Sequence, residues 1–185
     1  GFEGRCDAIL FTKDKNVVIP NRKEDLSAFR KQLLNIPAKP EDGGYYDLVV
    51  VGAGTAGLSA AIKGAREGLK VALINNRPVP GGNNSTEIRV VASGEMNVKP
   101  YTALGNVIRE IRNVYSKEDQ VIEMIQAEKM LSYFPNMHVF AASKVGKQIK
   151  SVTAKHIENG KEVEFFSPLF VDCSGDGNLG YLAGA

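Results

Sequence analysis

Three glycines at Gly52, Gly54 and Gly57, closing the apolar run Leu48-Val49-Val50-Val51, have the spacing and context to hold a phosphate. Gly52 permits a tight turn off a strand, Gly54 lets backbone approach a pyrophosphate, and Gly57 lets the following helix pack closely on the sheet. The N–H groups of that helix's first turn lack intrahelical partners and point at a bound anion, which the helix dipole also favours. The flanking sequence supports this. Leu58, Ala61, Ile62 and Ala65 form one helix face, Gly68 ends the helix, and Lys70-Val71-Ala72-Leu73-Ile74 reads as a second strand. The result is a βαβ dinucleotide unit.

The end of the second strand decides which dinucleotide. An acid there usually takes the adenosine ribose, and this chain has Asn75 instead. Its amide oxygen can accept a ribose hydroxyl, with roughly half the strength of a charged acceptor. The nearby Arg77 suits the 2′-phosphate of NADP. The doublet Gly81-Gly82 points the other way, since it lets backbone pass a large flat ligand and so favours FAD over a nicotinamide cofactor. No Ser-His-Asp set, metal cluster or carboxylate pair is visible, so no side chain is assigned as general acid or base and no metal is expected. His138 and His156 read as surface residues. Glu87 and Arg89, two apart, would share one face of a strand and either line the flavin pocket or form an exposed pair. Cys6 and Cys173, far apart and outside any CxxC pair, read as packed thiols.

The elements that must position these residues fit one core. The chain has 185 residues with 43% hydrophobic and 24% charged content, an ordinary globular composition. A net charge of +2 offers no basic stripe for nucleic acid, and no apolar stretch is long enough to cross a bilayer. Residues 5–12 are expected to form a strand, and Val17-Val18-Ile19 a short segment that ends at Pro20. Asn21 and Glu24 resemble a capping box opening a helix with Leu26, Phe29 and Leu33 on its face. Pro37, Pro40 and Gly43-Gly44 suggest a linker. An amphipathic helix is predicted from about Thr102 through Leu104, Val107, Ile108, Ile111 and Val114. A second helical stripe is predicted through Val121, Met124, Ile125 and Leu131. Strands are predicted over Met137–Val145, Gln148–Ile157 and Glu162–Cys173, with Asn159-Gly160 as a hairpin signal. The fold class is α/β, a parallel central sheet with a β-meander.

The order of strand, GxGxxG, second strand, Arg77-Pro78, Gly81-Gly82, Ser85-Thr86, meander and Asp172-Cys173-Ser174-Gly175-Asp176-Gly177 resembles the FAD-dependent oxidoreductase family with the glutathione-reductase type of FAD domain. The stretch Arg77–Val90 is especially similar to members from gut Bacteroidetes. The resemblance implies that Gly52, Gly54, Thr55, Ala56 and Gly57 hold the FAD pyrophosphate. It places Asn75 and Asn76, followed by Arg77, at the adenosine ribose, and Gly81, Gly82 and Ser85 near the ribityl–flavin side. It places the Val145 backbone at adenine, and Cys173, Ser174, Gly175 and Asp176 in the segment that returns to the dinucleotide. Asn75 departs from the family's acid.

By the same resemblance the fold is a Rossmann-like FAD-binding domain incomplete at both ends. Residues 1–20 are expected to end an upstream β-sandwich domain, 21–44 to be a helical linker, and 45–185 the N-terminal portion of the FAD-binding domain. The implied function is FAD-dependent oxidoreduction, a hydride passing from a small polar substrate to the flavin. An NAD(P)-binding oxidoreductase domain and a non-catalytic scaffold are the alternatives. Apolar surface meant for absent segments, on the helices or the meander, would favour self-association. A periplasmic and a cytoplasmic location both stay open.

Overall fold

The structure, a computed structural model, describes residues 9–94, 97–100, 102–103 and 105–185; Cys6 and Leu104, assigned above, lie outside them. The chain divides into two compact units, Gly1–Ala38 and Lys39–Ala185.

In the first unit, α1 spans Lys23–Leu33. Glu24 and Asp25 in its first turn and Arg30 and Lys31 in its last complement the helix dipole. The capping box is not made. The N-cap is Arg22, one residue after Asn21, with no side-chain cap bond. Of the strand expected over 5–12, residues 5–8 lie outside the described part, and Ile9–Thr12 are not in a strand.

The second unit is built on two four-stranded sheets. Strands β2 (Leu48–Val51), β3 (Val71–Ile74), β4 (Leu131–Phe134) and β8 (Phe170–Asp172) form a wholly parallel sheet in the order β4-β3-β2-β8. Every residue of β2 and β3 is buried, as continuous apolar strands covered on both faces must be. One face carries α2 (Thr55–Arg66), α3 (Asn106–Val114) and α4 (Glu118–Gln126), which bury Leu58, Ile62, Ile111, Val121 and Ile125 against Val50, Val71 and Leu73. The alternate residues Val49, Val51, Ala72 and Ile74 face the second sheet. That sheet orders β1 (Glu41–Tyr45), β7 (Glu162–Phe166), β6 (Gln148–His156) and β5 (Met137–Val145), and contributes Phe165, Val152 and Ala154. Phe165 meets Phe134 edge-on with ring centroids 4.7 Å apart and also touches Tyr46. A short helix α5 (Asn178–Leu182) follows β8. The helix α2 ends in a Schellman motif around Gly68 (φ +89), with Leu69 N–H bonded to Gly64 O and Gly68 N–H to Ala65 O.

Five further expectations are corrected. Leu131 belongs not to a helical stripe but to β4, whose Leu-Ser-Tyr-Phe sequence ladders in register with β3. The predicted 162–173 strand is two strands in different sheets, parted at Ser167-Pro168, where proline cannot donate to a ladder and the Ser167 hydroxyl bonds the Leu169 backbone. The linker ends early, because Glu41–Tyr45 pairs parallel to β7 as an edge strand of the second unit. Gly43 is required there: a Cβ would stand 2.9 Å from Glu164 O. The helix expected from Thr102 begins at Asn106. Finally, Glu87 lies in a turn and Arg89 has φ +63, so the two do not share a strand face.

Candidate functional site

The site starts where β2 turns into α2. Gly52 has φ +101 and donates its N–H to Ile74 O at 2.7 Å, tying the turn to β3. A Cβ there would stand 2.2 Å from Cys173 O, and one at Gly57 would stand 1.8 Å from Gly52 O. Both glycines are therefore demanded by packing. Gly54, the N-cap of α2, has an ordinary φ of −67. Among the described residues nothing lies within 4 Å of a Cβ at Gly54. It is the glycine of the three that faces open space, at the positive end of a 12-residue helix. Thr55, Ala56 and Gly57 supply that helix's first-turn N–H groups.

The Gly81-Gly82 loop sits on the same side. Gly81 N–H donates to Ala53 O at 2.7 Å, and a Cβ at Gly82 would stand 3.1 Å from Gly54 Cα. Both take left-handed φ values, +115 and +58. The loop is fastened by Thr55 Oγ1 donating to Asn84 Oδ1 at 2.6 Å, and Ser85 is buried beneath it. Ser85 is thus a support for the loop, with 1% exposure.

At the end of β3 two adjacent asparagines part company. Asn75 is 5% exposed, and its Nδ2 is within bonding distance of Arg77 O (3.0 Å), Val79 O (3.0 Å) and Tyr133 Oη (3.2 Å). It holds the loop toward the glycine doublet. Asn76 is exposed and lines a 290 Å³ cleft at the carboxyl ends of the parallel strands, together with Gly52, Ile74, Ser174 and Asp176. Arg77 is already paired, its Nε 2.7 Å from Glu87 Oε2, and that carboxylate would repel a 2′-phosphate.

The segment after β8 forms the opposite wall. Asp172 accepts from Ser174 N–H (3.0 Å), Ser174 Oγ (2.6 Å) and Gly180 N–H (3.0 Å). Burial pulls the Asp172 carboxyl upward, but these bonds outweigh it and hold the group below its usual range. Gly175 (φ +88) gives the segment its bend, and Asp176 reaches the cleft. Cys173 is half-buried and donates its N–H to Val51 O. Burial first, and the Asp172 charge second, push its thiol upward, which fits a packing residue.

Val145 is not at this cleft. It lies at the far, 68% exposed end of β5, roughly 20 Å along the strand from Val139 at about 3.4 Å per residue. The cleft is lined instead by Met137, His138 and Val139 at the start of β5. The physical reason is the direction of β4, parallel to β3. Once Leu131–Phe134 is a parallel strand, the Pro135-Asn136 turn (Asn136 φ +59) delivers the first residues of β5, not the last, to the carboxyl edge. The Phe134-Pro135-Asn136 turn was the available signal.

The arrangement fits a dinucleotide: a backbone approach at Gly54, a helix N-terminus, a second glycine strip against it, and a polar cleft beyond β3. A family model described as FAD dependent oxidoreductase matches residues 47–185. The soluble pyridine nucleotide transhydrogenase of Ectopseudomonas mendocina (strain ymp) is 31% identical to this chain over 127 residues, which is 69% of the chain and 25% of that protein. The chain spans about a quarter of the length of the curated relatives it matches. A triple mutant of the flavin-dependent brominase Bmp2 superposes with a TM-score of 0.55 at 18% identity, covering 75% of this chain and 41% of the other. The myxobacterial chondrochloren halogenase CndH gives 0.51 at 15% identity, covering 73% and 38%. At these identities the two solved structures share the fold.

Proposed function

Because this chain belongs to the FAD dependent oxidoreductase family, we propose that the protein carrying it oxidises a small polar substrate with FAD held by residues 39–185. The carrying observation is the contrast among the three glycines: Gly52 and Gly57 are closed off by backbone, while Gly54 alone opens outward at the head of α2. Gly54 and the first-turn N–H groups of Thr55, Ala56 and Gly57 would take the pyrophosphate. Gly81 and Gly82, set against Gly54 and propped by Ser85, would run along the ribityl–flavin side. The cleft lined by Asn76, Ser174 and Asp176 would take the adenosine end.

Bound FAD would supply the two-electron acceptor for a hydride leaving the substrate. The residues described here bind and orient; none is assigned a proton transfer. Arg77, paired with Glu87, weighs against the NADP reading. The exposed apolar residues Ile88, Val90, Val91 and Val98, on the loop after the doublet, would favour self-association, which sedimentation tests.

Flavin titration of the protein and of Gly54→Val tests the reading. The parent should quench flavin fluorescence on binding and Gly54→Val should not, with both retaining the same far-ultraviolet circular dichroism. Equal flavin affinity in the two would overturn it.

A further inference from the structure

We propose that Asn76, and not Asn75, reads the adenosine ribose, as a neutral amide that accepts from one hydroxyl and donates to the other. This rests on the reading that the cleft takes the adenosine end of FAD. Position decides between the two neighbours. Asn75 is buried, absent from the cleft wall, and its amide hydrogens face the carbonyls of Arg77 and Val79. Those two acceptors explain why an acid is missing from this position. A carboxylate has no hydrogen to donate, and here it would face two carbonyl oxygens in a buried setting. The residue is an amide because the loop needs a donor.

Asn76 has the opposite surroundings. It is exposed at the cleft, and its amide makes no hydrogen bond among the described residues. An amide carries both a donor and an acceptor, so one side chain can serve two vicinal hydroxyls. The move by one residue also changes the site's charge, because the ribose is met by a neutral group while the carboxylate in the cleft lining is Asp176.

The test uses ADP, 2′-deoxy-ADP and 3′-deoxy-ADP as probes, with thermal unfolding measured without nucleotide. Asn76→Ala should unfold like the parent and bind ADP about 3- to 10-fold more weakly, the worth of one or two neutral hydrogen bonds. That loss should shrink or vanish when the deoxy analogues replace ADP. Asn75→Asp, which restores the acid, should unfold at lower temperature and bind all three nucleotides more weakly by a similar factor. Tighter ADP binding by Asn75→Asp at an unchanged unfolding temperature would overturn the proposal and return the ribose to Asn75. A loss in Asn76→Ala that is the same for ADP and both deoxy analogues would overturn it too. A parent protein that binds FAD but not ADP refutes the ribose assignment alone. One that binds neither refutes the cleft reading beneath it.

Discussion

Replacing each fingerprint glycine by alanine separates fold from ligand contact. At Gly52 the backbone sits at φ +101, which costs an L-residue about 1–2 kcal/mol. Its new Cβ would also stand 2.2 Å from Cys173 O and 2.5 Å from Cys173 C. Relieving that overlap means moving β8 away from β2, at about 1–3 kcal/mol for an overpacked site. Gly52→Ala should therefore lose about 2–5 kcal/mol of stability. Gly57→Ala, with its Cβ 1.8 Å from Gly52 O, should lose a comparable amount. Gly54→Ala meets nothing within 4 Å at φ −67, so its cost is the small difference between a poorer N-cap and a less flexible unfolded chain, within about 1 kcal/mol of zero. Its effect should appear on ligand addition, as at least about a tenfold loss of ADP affinity, or 1.4 kcal/mol. Urea unfolding without nucleotide and calorimetric titration with ADP measure the two quantities separately. If Gly54→Ala unfolds with Gly52→Ala, or binds ADP like the parent, the division of roles among the three glycines is wrong.

Three further outcomes are expected. Phe165→Ala removes a fully buried ring packed between Tyr46 and Phe134 and should cost about 3–5 kcal/mol in denaturant unfolding, with a loss below about 1.5 kcal/mol contradicting the packing. Cys173 should react slowly with a thiol reagent at neutral pH in the folded protein and readily in urea, since burial and the Asp172 charge both disfavour its thiolate; equal rates would refute this. Asp172, whose carboxyl is held low, contributes stability above its unfolded pKa of about 3.9 that is lost as the pH falls through the lower folded value. Asp172→Ala should therefore cost about 1 kcal/mol at neutral pH and little in strong acid, read from thermal midpoints across pH; a pH-independent deficit would contradict the linkage.

The misreadings share a cause. Leu131–Phe134 looked like the tail of a helical stripe, and it is a strand only because β3 lies beside it. Glu41–Tyr45 looked like linker because its partner, β7, comes late in the chain. Phe170–Asp172 continued an apolar run yet pairs with β2 in the other sheet. In each case the deciding hydrogen bonds are long-range, and local periodicity carries no record of them.

What the sequence by itself determined was the chemistry of the turn. Gly52, Gly54 and Gly57 follow an apolar strand and open a helix. The permitted φ values, the missing Cβ atoms and the orphan N–H groups are properties of those residues and their immediate neighbours. The same holds for the left-handed Gly81-Gly82 pair and for the hairpin at Asn159-Gly160. Only the tertiary structure decided which polar side chains meet the cleft. Asn75 and Asn76 are the same residue type one position apart, and chain direction at the end of β3 sends one into the loop and the other to the wall. Likewise the placement of β5 puts Val139, and not Val145, in the cleft wall. A side chain's type is local, but its surroundings are set by strands that pair across the whole domain.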